Sequence, residues 1–437
     1  MAPRKPPLPP RAKNVIYLHM AGSPSQFELF DYKPELERLH MQPCPESLLA
    51  NQKFAFIKGH PKILGPQTKF QQFGAAGRYF SELIPNMASV ADEWTIVRSM
   101  VTDQFNHAPA ELFLHTGNAR SGYGSFGSWV TYGLGTENQD LPGFVVFVSG
   151  GNNPAAGKAV WGNGFLPGVY QGVQCRSGGE PILFLSNPKG IDTSTRRASL
   201  DSLNRLNQMQ AQAFGDPETL TRIEQYELAF RMQTSAPATF DISKESKETL
   251  EAYGAEPEKS SFANNCLMAR RLVESGVRFV QLFDWGWDVH GTGPNDDLNH
   301  HLVQKCKETD RPVGTLIKDL KQRGLLDETL VIWGGEFGRT SMNEARGGSK
   351  FFGRDHHPHC FTMLFAGGGM KPGFDFGTTD ELGYFVTENK VTVRDLQATL
   401  LRLLGLDPFR LSFPFQGLNH RLIGPTDEGK IREELIS

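Results

Sequence analysis

The sequence predicts an α/β fold built on a largely parallel sheet, and three observations predict it. Short β-rich apolar runs at 14–20, 94–100, 144–150, 277–283, 329–333 and 360–365 read as buried strands. Stretches of helical periodicity separate several of them, and strands alternating with helices imply parallel pairing with both faces covered. Two runs then end abruptly in metal-ligand residue types, Asp288 and His290 after 277–283 and Glu336 after 329–333, while Asp355, His356, His357 and His359 form a third cluster on the following loop. Open α/β sheets bind ligands beyond the carboxyl ends of their strands. A metal-centred site built from strand ends is the expectation.

Composition bounds the function. The 437 residues allow two or three domains on length alone, and 39% hydrophobic with 21% charged residues is ordinary for a globular protein. Forty-five basic against 48 acidic side chains give a net charge of -3, so no whole-chain attraction to nucleic acid or an anionic membrane is expected. The 46 Gly and 28 Pro are spread along the chain and imply many loops. Five cysteines without a CxxC spacing read as reduced thiols. The start, MAPRKPPLPPRAK, is basic and Pro-rich, and the apolar run after it is too short for a signal core. No stretch approaches the roughly 20 apolar residues of a membrane span. As written, the chain carries no export or anchoring device, and a cytoplasmic location is expected.

In chain order, the strand at 14–20 stops at AGSPS, and Ser23, Ser25, Glu28 and Asp31 follow at the same rim. Either they serve the site, or Ser23 or Ser25 caps a short helix and Asp31 is a turn residue. Residues 40–75 read as irregular. After the strand at 94–100 comes TDQFNHAPAELFLHTGN, a helix with Pro109 in its first turn that ends at Thr116-Gly117-Asn118. Its free N–H groups and partial positive charge make a cradle for phosphate or sulfate, with Asn106 and His107 at that spot. The alternative is that Asn106 only caps the helix and His107 lies on the surface. From 127 to 190, apolar runs at 144–150 and 181–187 predict one more strand and a long excursion over the rim. Its Trp161, Phe165 and Tyr170 either stack on a sugar ring or pack under their own loop. Helical periodicity over 198–233, broken at 215–217, then helices at 245–253 and 261–275, predict an insertion on the sheet domain.

The strand at 277–283 leads to Asp284, Asp288 and His290, and Asp-x-His lets a carboxylate and an imidazole reach one ion. A helix at 298–323 returns the chain to the strand at 329–333, Glu336 and Arg339. A last helix at 391–404 has Thr392 as its cap. Imidazole with carboxylate suits zinc, manganese or iron, and further oxygen ligands admit calcium or magnesium. Phosphoryl or sulfuryl transfer uses such equipment, with Arg339 and Arg354 as anion clamps; the bland reading of either arginine is a salt bridge.

The ordered segments VIYLHMAGSPSQFELFDYKP, VRSMVTDQFNHAPAELFLHTGN, GWDVHG, VIWGGEFGRT, GRDHHPHCFTMLFAGGGMKPG and DLQATLLRLLG resemble the domain-of-unknown-function family numbered 1501. The resemblance covers residues 12–425, and EFGRT followed by GRDHHP is its most specific part. It implies membership of the alkaline phosphatase and sulfatase-like superfamily, and members of the family often carry an export signal. It implies a three-layer α/β/α sandwich as one domain over 13–425, with a helical insertion at 198–260, a basic segment at 1–12 and a tail at 426–437. Residue by residue, the sulfatase nucleophile position falls on His107. Glu336-Phe337 stands where relatives have Asp-His, His19 occupies the first strand end, and Glu28 or Asp31 must reach in for a second metal. Asp288 with His290, and His356 or His357, resemble the ligands of one well-supplied divalent metal site, with Glu336 and Asp355 bridging or behind it. The implied activity is hydrolysis of a phosphate or sulfate ester of a small molecule or glycan, His107 acting as nucleophile or general acid/base. The rival class is a non-catalytic binding or scaffolding protein that keeps the fold.

Overall fold

Strand β1 (Asn14–Ala21) shows why the sheet is covered on both faces. Every residue after Asn14 is buried, Val15 and Tyr17 enter one apolar cluster, and Ile16, Leu18 and Met20 enter another. That alternation is the pleat of a strand with packed material on both sides. The computed structural model describes residues 1–49, 54–176, 178, 181–182, 185–215, 217–426 and 429–437.

Among the described residues the main sheet has nine strands: β1, β2 (Trp94–Val101), β3 (Phe144–Ser149), β4 (Val173–Gln174), β5 (Phe279–Trp285), β6 (Thr329–Gly334), β7 (Phe361–Ala366), β8 (Phe374–Phe376) and β9 (Val391–Thr392). Their order is β8-β2-β7-β6-β1-β5-β3-β4, with β9 also on β2. β1 sits centrally, parallel to β5 and β6, and β7 alone runs antiparallel to its neighbours β2 and β6.

The major helices are α1 (His107–Thr116), α2 (Phe126–Leu134), α3 (Thr193–Phe214), α4 (Pro217–Phe240), α5 (Phe262–Glu274), α6 (His301–Gln322) and α7 (Val393–Leu403). α5 and α6 pack on one face through Cys266, Leu267, Leu302 and Leu316. α1, α2 and α7 cover the other through Leu112, Trp129 and Leu400. The fold is the expected three-layer sandwich. Thr392 Oγ1 accepts the Asp395 N–H and Asp395 accepts the Thr392 N–H, both at 3.1 Å, a reciprocal cap that starts α7.

Three sequence expectations are adjusted. Two helices, Thr193–Phe214 and Pro217–Phe240, reach beyond 198–233 at both ends, Met232, Ala236 and Phe240 anchoring the end of α4 in the core despite Pro237. Residues 40–75 hold short ordered pieces, including Lys62–Ile63, which pairs with Met342–Asn343. Of the run at 181–187, Leu183 and Phe184 lie outside the described residues; Val173–Gln174 forms the strand beside β3. All five cysteines are free and buried, and among the described residues no helix is long and apolar enough to cross a membrane.

Candidate metal centre

Four backbone segments meet at the carboxyl rim of the sheet. β5 runs out into the loop carrying Asp288 and His290, and β6 into Glu336. β2 leads to His107, the first residue of α1. His356 arrives from the opposite direction: a two-residue strand, His356–His357, pairs with Gly338–Arg339 just before β7. Because β7 is reversed, residues that precede it, rather than follow it, reach this rim. Gly353 permits the approach. A Cβ there would meet the His290 carbonyl carbon at 1.9 Å, so only glycine lets the two ligand loops touch.

One carboxylate faces three imidazoles. His290 Nε2 lies 2.8 Å and His356 Nε2 3.2 Å from Asp288 Oδ1, and His107 Nε2 lies 3.2 Å from Asp288 Oδ2. Donor atoms of the four residues all fall within 4.8 Å of one another. Each imidazole is held through its other nitrogen. His107 Nδ1 is 2.6 Å from Glu336 Oε1, His356 Nδ1 is 2.7 Å from the Phe105 carbonyl, and His290 Nδ1 contacts Glu344. Arg346 Nη2 is also 3.1 Å from His290 Nδ1, but the closer Glu344 carboxylate can only accept, so it takes the proton. Carboxylate and carbonyl acceptors on Nδ1 fix the tautomer that leaves Nε2 as a lone pair, the usual support for a metal-binding histidine.

The electrostatics are frustrated without a cation. Burial disfavours the charged form of His107, yet the Asp288 and Glu336 carboxylates beside it outweigh this and raise it to about 9. Burial also opposes ionisation of Asp288, but Arg339 and the three imidazoles hold it far below the ordinary carboxylate range. His290, which has Glu344 as a second carboxylate, is raised despite burial. His356 has only Asp288, and burial with the Arg339 and His107 charges drives it down to about 4. His107 Nε2 is buried and, despite its proximity to Asp288, has no partner in hydrogen-bond geometry. The donor set, the fixed tautomers and this orphaned nitrogen fit a divalent cation.

The remaining sequence candidates are placed elsewhere. Glu336 stands behind His107, fully buried. Asp355 accepts the Phe56 and Ile57 N–H groups at 2.7 and 2.9 Å and so pins that loop over the site. His357 Nε2 bonds the Tyr384 carbonyl at 2.6 Å, and burial lowers it to about 3. Asp31 pairs with Lys33 and Arg98 at 3.5 and 3.9 Å and accepts from Thr379, outside the ligand cluster. Asn106 is the N-cap residue of α1 without a side-chain capping bond.

Neither expected anion clamp is free. Arg339 is buried on the Ser23, Gly22 and Arg354 carbonyls and on Asp288 at 2.6 Å, and Arg354 is paired with buried Glu28 at 2.6 Å. Both follow the salt-bridge alternative, since a desolvated guanidinium is held by fixed acceptors. Ser23 does not cap a helix; its Oγ accepts the N–H groups of Glu336 and Phe337, both at 3.1 Å. Trp161 is buried against Phe283 of β5 and Tyr170 against Tyr132 of α2, and Phe165 stacks on Phe415.

Sequence reasoning missed Glu344, Phe56 and Arg346. Phe56 lies edge-on to His290 and His356 and is 42% exposed, with the Arg346 guanidinium 4.3 Å above its ring. The only signal for Glu344 was an acid lying between the two ligand segments; Phe56 lies in a stretch with no periodicity. Beside Asp288 opens a groove of about 580 Å³ lined by Asn152, Trp285, Asn295, Gln304 and Lys305.

A family model described as "Protein of unknown function (DUF1501)" matches residues 12–436. A comparison with curated proteins gives no match. Among solved structures the chain is similar to a sulfatase from Pseudoalteromonas sp. at 14% identity and TM-score 0.39, covering 97% of this chain and 74% of that one. It is similar to a phosphonate monoester hydrolase from Silicibacter pomeroyi at 11% and 0.38, covering 97% and 76%. A protein in the alkaline phosphatase superfamily from Vibrio parahaemolyticus gives 14% and 0.36, covering 99% and 74%.

Proposed function

This chain belongs to the DUF1501 family, and from its rim geometry we propose that it is a metal-dependent hydrolase of phosphate or sulfate esters, with one cation held by His107, Asp288, His290 and His356. The observation that carries the reading is the convergence of three imidazole Nε2 atoms on one carboxylate, each Nδ1 already bonded. Three nitrogens and one oxygen favour zinc, with manganese or iron(II) next, over calcium or magnesium. When bound, such an ion polarises an ester oxygen and acidifies water.

The protein's own groups supply the rest. Arg339 and the three imidazoles keep Asp288 ionised. Glu336 and Glu344 orient His107 and His290, so His107 serves as a ligand in this reading rather than as the nucleophile. The start of α1 faces the approach to the site and offers positive charge to ester oxygens, and Arg346, 38% exposed, adds to it from the side of its guanidinium not held by its ion pair with Glu344. The polar groove beside Asp288 accommodates the alcohol portion, and its amides and Trp285 suit a hydroxylated one.

Metal analysis of purified protein, with hydrolysis of p-nitrophenyl phosphate and p-nitrophenyl sulfate by wild type and His107→Ala, tests the reading. Stoichiometric metal with turnover that His107→Ala abolishes is expected. Absence of stoichiometric metal sinks both site and mechanism, and metal without turnover returns the chain to the binding-module class.

A further inference from the structure

Behind the rim site lies a second set of donor atoms that the ester-hydrolase reading does not use. His19 on β1, Glu111 on α1 and Glu336 after β6 each show 0% exposure. One donor atom from each falls within 4.8 Å of the others. His19 Nε2 is 3.3 Å from Glu336 Oε2, yet both atoms are buried without a hydrogen-bond partner. An unpaired imidazole nitrogen facing an unpaired carboxylate oxygen in a dry interior is costly, and native proteins satisfy such groups.

The neighbouring atoms bear on what satisfies them. Glu111 already accepts the Ala155 and Ala156 N–H groups at 3.1 and 2.7 Å, which fixes its carboxylate in place. His19 Nδ1 is 3.3 Å from His115 Nε2, and His115 Nδ1 is 3.1 Å from the Gln281 amide. This relay can be written in two directions, because an amide's nitrogen and oxygen exchange places by a flip. With Gln281 oxygen accepting from His115, and His115 accepting from His19 Nδ1, His19 Nε2 is left as a lone pair. In the other direction Nε2 carries a proton toward Glu336. The geometry favours the first: at 3.3 Å His19 Nε2 and Glu336 Oε2 are not in hydrogen-bond geometry, and His107 serves Glu336 only from its Oε1 side.

We propose that His19, Glu111 and Glu336 form a second, enclosed cation site, with Glu336 joining it to the rim site through His107. One imidazole and two carboxylates suit zinc, manganese or iron(II). All three ligands are buried, so the ion has no solvent-facing position and acts as a fixed charge: it orders β1, α1 and β6 and holds Glu336 against His107.

The test uses full-length protein stripped with chelator and titrated with Zn²⁺, stoichiometry being read by elemental analysis after gel filtration. Two equivalents in wild type, one in Glu111→Gln and one in Asp288→Asn are expected, since each variant empties a different site. Wild type binding one equivalent that Asp288→Asn loses overturns the second site and leaves the rim site standing. Retention of two equivalents by Glu111→Gln also overturns it. Anomalous diffraction from zinc-loaded wild-type crystals needs no variant: a peak between His19 Nε2 and Glu336 Oε2 is expected, and a peak confined to Asp288 and its three histidines overturns the proposal.

Discussion

Glu336 Oε1 lies 2.6 Å from His107 Nδ1, so a carboxylate delivered by β6 aims an imidazole delivered by α1. Its other oxygen faces His19, which makes Glu336 the shared wall of both clusters.

Replacing Glu336 by Gln removes the charge that orients His107 while keeping the shape. Outer carboxylates of this kind change metal affinity by about 10–100-fold. Zinc affinity at the rim site should fall within that range, measured by competition with a chromophoric chelator. An unchanged affinity would detach Glu336 from ligand orientation.

Zinc binding should strengthen as pH rises. In the metal-free protein His107 is protonated up to about 9, so a cation must displace one proton at neutral pH. Affinity should gain about tenfold per pH unit from this group until that value, and lose by the same factor on acidification. Calorimetry in buffers of different ionisation enthalpy reads the released proton directly.

Arg354→Met should destabilise the fold without touching a metal ligand. It leaves Glu28 unpaired where both side chains are wholly buried. Breaking a buried pair from one side costs about 3–5 kcal/mol. A denaturant midpoint equal to that of wild type would refute a structural role for the pair.

Thr392→Ala removes one half of the cap on α7 and should cost about 1 kcal/mol. Zinc stoichiometry should stay at the wild-type value, because α7 carries no ligand. The same denaturant titration checks it.

Arg346→Ala should leave metal content intact and weaken ester binding, appearing in KM more than in kcat if the cation acts on the bound substrate alike before and during reaction. Equal kinetic constants for the two proteins would remove Arg346 from substrate contact.

The fold was legible because period is written in each segment: β1 alternates between two cores, and α6 repeats its apolar residues at helical spacing. The ligand types were legible because Asp288 and His290 sit where a strand stops and His356 lies in a cluster of such residues just before the next one. What hid was pairing across the chain. Arg339 and Arg354 look like free cations until Asp288 and Glu28 are folded against them. Asp355 looks like a ligand until the Phe56 and Ile57 amides claim it. Glu111 carries no local signal at all, and His19 stands at a strand end with no partner in its own segment, since their chemistry exists only where β1, α1 and β6 cross.

The place of β1 at the middle of the sheet has a consequence for biosynthesis. This strand is synthesised before both of its neighbours, since Val15 pairs with Phe279 and Leu330, which are made hundreds of residues later. During translation both of its hydrogen-bonding edges stay unpaired, and such edges invite association with other chains. Loop-closure entropy further delays the long-range pairing. Slowing translation between α3 and β5 should therefore lengthen the exposure of β1 and raise its dependence on chaperones, whereas a finished chain diluted from denaturant meets all its partners at once.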